Sequence, residues 1–411
     1  MKVLHVVPHY QGGLGYEENH LGFAQATLGV EVTIVTSTGL PHQWAAYSNN
    51  GVESTSNAGT VIDRGVTIRR LPPAIEVQSR SQLILKGLGT VFEDEFPDVL
   101  HLHAPVGGLT VQSLRFARTQ RIPVVIDSHI NYFNLRPFNM KKRVYYQAFA
   151  RLILPLYRSV IKRFLPHTPD AETVLDRVLK IDSDIVTQTS LGADASEFRF
   201  DSEARTRVTI DLEIDPSAKL VLFAGRITPP KDIDVLIAAC NTLWDKLDFH
   251  LLLVGPIDEE YKNQLAQQCD PTHSNRVHFL GMTPNDEMPG FFSSADVGVW
   301  PGDPAVSILE AMACSLPLIL SASDTTRHLI IGDNGIPFSR RNSSELASAL
   351  SLVLSDVDRR NSMSENSRLL AENVFDWKVV AKRTNQVYEE ILQGTDQHIP
   401  PIWDSRFSSV A

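Results

Sequence analysis

The chain has 411 residues, 43% hydrophobic and 21% charged, which excludes a disordered polypeptide and predicts two domains rather than one. A net charge of −10 excludes a general nucleic-acid binder, whose surface would be basic. Three widely spaced cysteines, Cys240, Cys269 and Cys314, exclude a disulfide framework and fit a reducing, cytoplasmic setting.

The first predicted strand, 2–7, begins at once, and its apolar run is too short for the core of a signal peptide. No later run reaches the length of a membrane span, so any membrane contact is expected to be peripheral. The strand leads into Gln11-Gly12-Gly13-Leu14-Gly15-Tyr16, whose glycines allow backbone amides to approach a phosphate closely. It is no dinucleotide fingerprint: Glu18 stands at the third glycine position, and the next strand ends in Thr36-Ser37 without an acidic ribose ligand. A tight strand-to-helix turn accounts for Gly12 equally well.

Further strands are predicted at 31–36, 66–70, 98–103, 123–127 and 185–189, alternating with amphipathic segments as parallel strands and crossover helices do. Two of them run into histidines, His103 and His129. For His103 a structural role is the expectation, and for His129 a ligand contact. No carboxylate base accompanies them locally, and neither a Ser–His–Asp set nor a metal-binding cluster is visible in the spacing.

Between Asp127 and Asp170 there is no acidic residue, whereas Arg136, Lys141, Lys142, Arg143, Arg151, Arg158, Lys162 and Arg163 alternate with aromatic and aliphatic side chains. Such a stretch, 136–164, fits an anionic membrane surface. The alternative is that its apolar residues enter the core while its cations remain solvated.

A polar segment, 201–215, separates this half from a second alternation, with strands at 219–224, 249–254, 276–280, 296–300 and 316–320. The run from Phe223 to Asp232 leaves Arg226 and Lys231 at one strand end, able to neutralise a diphosphate. After Trp300 a helix is expected to open near Pro304, with Asp303 as its cap and the amides of Ala305 and Val306 as an anion site. Ser307 and Glu310 share a face of that helix, Glu310 two turns in, where a carboxylate accepts hydrogen bonds from ribose hydroxyls. An amphipathic helix, 376–393, and a tail, 394–411, close the chain.

The segment from Val299 to Ile319 resembles the signature of glycosyltransferase family 4, in which a Glu, seven residues and a second Glu precede Ala-Met-Ala-x-Gly-x-Pro. Glu310 matches the second Glu, which binds the donor ribose in that family, and Ser315 replaces the Gly. The first Glu, which contacts the transferred sugar, falls on Gly302. Either the adjacent Asp303 takes over that role or the role is lost. The run Gly225-Arg226-Ile227 to Lys231-Asp232 is similar to the family's Gly-Arg-Leu-x-x-x-Lys-Gly, with Asp232 in place of the last Gly. The resemblance also gives Gly13 and Gly15 a place facing the donor diphosphate, and His129 a place facing the sugar and acceptor.

The resemblance implies an α/β protein of the GT-B type, two Rossmann-like doubly wound domains facing each other across a cleft. The N-terminal acceptor domain would be 1–195 and the nucleotide-sugar domain 216–375, with 376–393 returning toward the first. It implies a retaining hexosyltransferase using a UDP- or GDP-sugar and a glycan or lipid-linked acceptor. His129, Arg226, Lys231 and Asp303 would act at the reacting centre, and no metal or other cofactor is expected. Two alternatives stand beside it: a nucleotide-sugar binder without turnover, which the missing first Glu favours, and a GT-B epimerase.

Overall fold

The β-branched runs of the first half build a sheet because their residues are apolar on both faces. The strand β1 (Lys2–Val6) is buried from Val3 onward and pairs in parallel with β2 (Glu31–Ser37) and with β7 (Val99–Leu102). Continuous rather than alternating hydrophobicity is what a parallel sheet covered on both faces requires. The computed structural model describes residues 1–10, 17–39, 57–77, 82–132, 135–136, 138–395 and 399–403. Gly13 and Gly15 lie outside the described residues. The chain divides into two units, Met1–Leu191 with Trp377–Ala411, and Gly192–Asp376.

Among the described residues the first unit holds a seven-stranded sheet in the order β3-β4-β2-β1-β7-β8-β9, and a separate antiparallel pair, β5 (Pro73–Val77) with β6 (Gln82–Leu85). Here β3 is Gly59–Asp63, β4 Val66–Leu71, β8 Val124–Ser128 and β9 Ile161–Pro166. All seven-strand pairings are parallel except β3 with β4, a hairpin turned by Arg64 and Gly65, both at positive φ. The strand order reverses at β1, so β1 and β7 flank the switch point at which parallel sheets open a crevice beyond their carboxyl ends.

At the β8 edge of this sheet two elements depart from the sequence reading. Residues 185–189 are not a strand: Ser183–Ile185 is a short 3-10 turn and only Val186 bridges, to Phe164. The edge position beside β8 belongs instead to β9, whose Lys162 and Arg163 concealed it within the basic stretch. That stretch divides. Phe149, Leu154, Tyr157, Ile161 and Phe164 enter the core, while helix α2 (Met140–Ala148) buries none of its residues, and helix α3 (Pro169–Arg177) follows β9.

The helix α1 (Leu21–Thr27) lies against α5 (Trp377–Gln393), whose Trp377, Val380 and Ala381 join Leu21 and Ala24 in one cluster. Two turns on, Val387 and Tyr388 reach the sheet core around Val3 and Ile34. The apolar stripe of α5 thus gives the first unit its final layer.

The second unit carries a six-stranded, wholly parallel sheet in the order β12-β11-β10-β13-β14-β15 among its described residues. These are β10 (Lys219–Ala224), β11 (Phe249–Val254), β12 (Val277–Gly281), β13 (Val297–Trp300), β14 (Leu318–Ser321) and β15 (Gly335–Phe338). Its order reverses at β10, which pairs with both β11 and β13. The crevice of this unit therefore opens between the loops that follow β10 and β13.

Candidate functional site

Both loops at the second unit's switch point are drawn tightly together. Gly225 and Gly255 end β10 and β11 at φ +138, and a Cβ on Gly255 would stand 2.0 Å from the Gly225 carbonyl oxygen. Only glycine permits that approach. A Cβ on Gly302 would meet the Pro230 carbonyl oxygen at 2.4 Å. The position of the family's first Glu therefore has no room for a side chain while the 230–231 loop stays in place. The Asp303 amide donates to the same Pro230 oxygen at 3.0 Å, which fixes the register of the two loops.

Lys231 closes this arrangement. Its Nζ donates to the carbonyl oxygens of Asp303 (2.9 Å) and Pro304 (2.5 Å). Burial pulls its ammonium down to about 8, with Asp303 opposing and Arg340 adding to the shift. Arg226 stands exposed at the end of the same loop. The helix α4 (Ser307–Ala313) begins three residues later than the sequence predicts. Val306 rather than Asp303 occupies the cap position, so Asp303 is not the helix cap. Its buried carboxylate accepts instead from Arg340 Nη1 at 2.8 Å, while Oδ2 has no hydrogen bond. Arg340 also donates to Asp232 at 2.7 Å and to the Pro230 carbonyl at 3.0 Å, tying three segments of the crevice together.

Glu310 lies in the first turn of α4 rather than two turns in, and is 8% exposed. Burial, with the Glu197 carboxylate adding to it, raises its carboxyl to about 7. Ser307 does not present its hydroxyl to the crevice. It donates to the Ala224 carbonyl at 2.6 Å and accepts from Trp300 Nε1 at 3.3 Å, locking α4 onto β10. The carbonyls of Ala305 and Val306 are taken by the amides of Ile308 and Leu309.

The two departures from the family's glycines have one geometry. Asp232 (φ 53) and Ser315 (φ 65) are both left-handed, the conformation that glycine adopts without steric cost. Asp232 is compensated by its ion pairs with Arg340 and Arg341, at 2.7 and 2.6 Å. For Ser315 no side-chain ion pair or hydrogen bond among the described residues offsets the strain. Replacing Ser315 with Gly should stabilise the protein by up to about 1 kcal/mol, read as a higher melting temperature. Asp232→Gly, which also deletes the ion pairs, should lower it.

The first unit gathers a second set of groups at its own switch point. His5 lies on β1, His101 on β7 and Asp127 on β8, while His103, His129 and His167 follow β7, β8 and β9. Glu17, from the short turn Glu17–Asn19, joins them. His129 Nε2 stands 2.7 Å from Glu17 Oε2, and His167 Nε2 3.1 Å from the same oxygen. His103 Nδ1 is 2.6 Å from Asp127 Oδ2. The expectations that no carboxylate accompanies His129, and that no histidine cluster exists, are both corrected. His103 is buried within the network rather than being an isolated core residue.

Electrostatics divides the cluster. Burial disfavours charge on every member, yet Asp127 raises His103 to about 9, and Glu17 and Asp127 raise His167 to about 10. In turn His167 holds Glu17, and His103 holds Asp127, well below the usual carboxylate range despite their burial. Burial and neighbouring imidazoliums push His5 down, and His101 down to about 3. Glu17, Asp127, His167 and Arg340 escaped the sequence reading. Asp127 closes a predicted strand, Glu17 follows the glycine-bearing segment, and His167 and Arg340 follow β9 and β15, which the alternation did not reveal.

Comparison with known proteins agrees with this organisation. Residues 12–174 match the family described as glycosyl transferase 4-like domain, and residues 205–370 the glycosyl transferases group 1. An uncharacterised glycosyltransferase of Methanocaldococcus jannaschii is 30% identical over 185 residues, 44% of this chain and 47% of that protein. The N,N'-diacetylbacillosaminyl-diphospho-undecaprenol alpha-1,3-N-acetylgalactosaminyltransferase of Campylobacter jejuni is 26% identical over 198 residues, 47% of this chain and 50% of that protein. The chain spans about half the length of the curated relatives it matches. In fold it is similar to the Anabaena protein HepE, solved in complex with UDP, with a TM-score of 0.71 at 16% identity over 95% of this chain and 100% of the other.

Proposed function

The chain belongs to the glycosyltransferases of the GT-B fold, and on that premise we propose that it moves a hexose-type sugar from a nucleoside diphosphate donor to a glycan or lipid-linked acceptor, with retained anomeric configuration. The observation that supports the reading is the second unit's switch point, where the loop carrying Arg226 and Lys231 is held against the turn that leads into the helix of Glu310. Glu310 would accept hydrogen bonds from the ribose. Lys231 and Arg226 would meet the charge that grows on the diphosphate as its bond to the sugar breaks. With those cations in place of a metal, a phosphate oxygen of the leaving group would take the acceptor's proton on the face it departs from, which gives retention.

Incubation with a panel of UDP- and GDP-sugars tests this, nucleotide release being followed with and without added acceptors. Failure to bind any nucleotide sugar would sink the proposal. Binding without release under every acceptor would favour the reading without turnover, which the closed Gly302 position and the Arg340-bound Asp303 support.

The acceptor side draws on α2 (Met140–Ala148) and the turn beyond it. Met140, Val144, Tyr145, Leu152 and Leu156 are exposed there, beside Lys141, Arg143, Arg151 and Arg158. No described helix is long and apolar enough to cross a membrane. Apolar side chains flanked by cations instead fit the inner, anionic face of one, and hence a lipid-linked acceptor. The protein should sediment with anionic but not neutral vesicles at low salt and be released as salt rises. Each cation contributes about 1 kcal/mol, so Lys141→Glu with Arg143→Glu should abolish sedimentation and leave nucleotide affinity unchanged. Wild-type protein that ignores anionic vesicles at low salt would redirect the search to soluble acceptors.

A further inference from the structure

We propose that Glu17, Asp127, His129 and His167 form a binding site for one divalent transition-metal ion of the zinc class, in the first unit and on none of the residues assigned to the diphosphate. One ligand atom from each lies within 4.8 Å of all the others. The recorded separations are 2.7 Å (His129 Nε2 to Glu17 Oε2), 3.1 Å (His167 Nε2 to the same oxygen) and 3.9 Å from each of these histidines to an Asp127 oxygen. A tetrahedral zinc with bonds of about 2.0–2.1 Å has ligand edges of about 3.3 Å, in the middle of that range.

The hydrogen-bond census points the same way. Glu17 Oε2, Asp127 Oδ1 and His167 Nε2 are buried and, although they lie in ion-pair contact, none completes a hydrogen bond of good geometry. Buried polar atoms are ordinarily hydrogen-bonded, and three such atoms aimed at one place are the arrangement a cation completes. Two carboxylates balance a divalent charge once the ion displaces the proton that His167 otherwise holds, so uptake releases that proton. Two imidazoles select zinc, or a neighbouring first-row metal, over magnesium and calcium, which take oxygen ligands.

The adjacent histidines supply the outer layer. His5 Nε2 meets Gln25 Oε1 at 2.8 Å, and His5 Nδ1 meets His103 Nε2 at 2.9 Å. If the Gln25 amide keeps Asn385 as its acceptor (2.9 Å), His5 carries its proton on Nε2 and accepts from His103 at Nδ1. His103 then directs Nδ1 at Asp127, 2.6 Å away. His101 Nδ1 is engaged by the Tyr388 hydroxyl at 2.6 Å. His5 and His103 are therefore committed to each other and to Gln25, and His101 Nδ1 to Tyr388, while His103 orients Asp127 as outer partners orient metal ligands. Only His129, 38% exposed, gives the site contact with solvent, which provides an entry path and the fourth ligand at once.

The test uses the full chain, stripped with a chelator and titrated with Zn(II) against a chromogenic competitor, and with Co(II) followed by visible absorption. The expected result is one equivalent of Zn(II), a tetrahedral Co(II) spectrum and a higher melting temperature with the ion. His167→Ala and Asp127→Asn should weaken Zn(II) binding at least 100-fold, and the outer variant Gln25→Ala by roughly 10- to 100-fold. His129→Gln, at the most accessible ligand, serves if the buried variants do not fold, and should also change the Co(II) spectrum. His250→Ala removes one ring of a histidine pair in the second unit (2.9 Å) and should leave the stoichiometry at one. The proposal is overturned if stripped wild-type protein takes up no Zn(II) in the micromolar range. It is equally overturned if the ligand variants bind as wild type does, or if His250→Ala is the change that removes the ion.

Discussion

Lys231→Ala should lower kcat by about 100- to 1,000-fold, equivalent to roughly 2.7–4 kcal/mol, while changing donor affinity only a few-fold. The asymmetry follows from when the charge appears. A diphosphate bound as donor shares its charge with the sugar bond, and the full charge develops only as that bond breaks, so a preorganised cation stabilises the transition state more than the ground state. The ammonium is preorganised by the Asp303 and Pro304 carbonyls, and no reorganisation is needed when the diphosphate departs. Lys231→Arg should not restore activity, because the Nζ is held as a compact ammonium by the Asp303 and Pro304 carbonyls, a geometry that a longer planar fork does not reproduce. Steady-state nucleotide release and calorimetric donor binding check the prediction. Parallel losses in both would mean ground-state anchoring, and full activity would remove Lys231 from the site. Arg226→Ala should show a smaller loss of the same form, since its guanidinium is exposed and works against water.

Glu310→Gln should weaken nucleotide binding by about 1.5–3 kcal/mol, roughly 10- to 150-fold, by replacing two charge-assisted hydrogen bonds to the ribose with neutral ones. The pH dependence sharpens this. Burial raises Glu310 to about 7, and only the ionised carboxylate accepts from both hydroxyls, so donor affinity should fall up to tenfold for each pH unit below 7. On the alkaline side Lys231 loses its proton above about 8. For the free protein, kcat/KM should therefore trace a narrow bell with limbs near 7 and 8, and Glu310→Gln should abolish the acid limb alone. Stability moves oppositely. A carboxyl raised from 4.5 to about 7 contributes stability that is fully present below 4.5 and lost as the pH rises through 7. At pH 8 the Gln variant should be the more stable protein, by at most about 3 kcal/mol. Unchanged nucleotide affinity in this variant would reject the ribose assignment.

The sequence alone determined the alternation of strands and helices and the places where the chain turns. A buried parallel strand must be an uninterrupted apolar run, and β1, β2, β7, β8, β10, β11 and β13 are written that way. It also determined the donor-side chemistry, because Arg226, Lys231 and Glu310 sit a few residues past such strands, within local segments whose spacing is informative. Where a strand edge faces solvent that signal fails. β9 carries Lys162 and Arg163, and β3 exposes Val61 and Ile62, so neither alternates or runs as a core strand does.

Only the tertiary structure decided what Asp303 and the histidines do. Asp303 was legible as a cap or a substitute for a missing Glu, and which group it meets depended on Arg340, 37 residues away on the loop after β15. The cluster of Glu17, Asp127, His129 and His167 draws on three segments spread over 151 positions of chain, and only Asp127 and His129 are neighbours in sequence. Local pattern reports the chemistry of neighbours in sequence. Sheet order decides which strand ends meet, and the reversal at β1 sets the ends of β1, β7, β8 and β9 side by side, where residues harmless in isolation become a buried ionisable site.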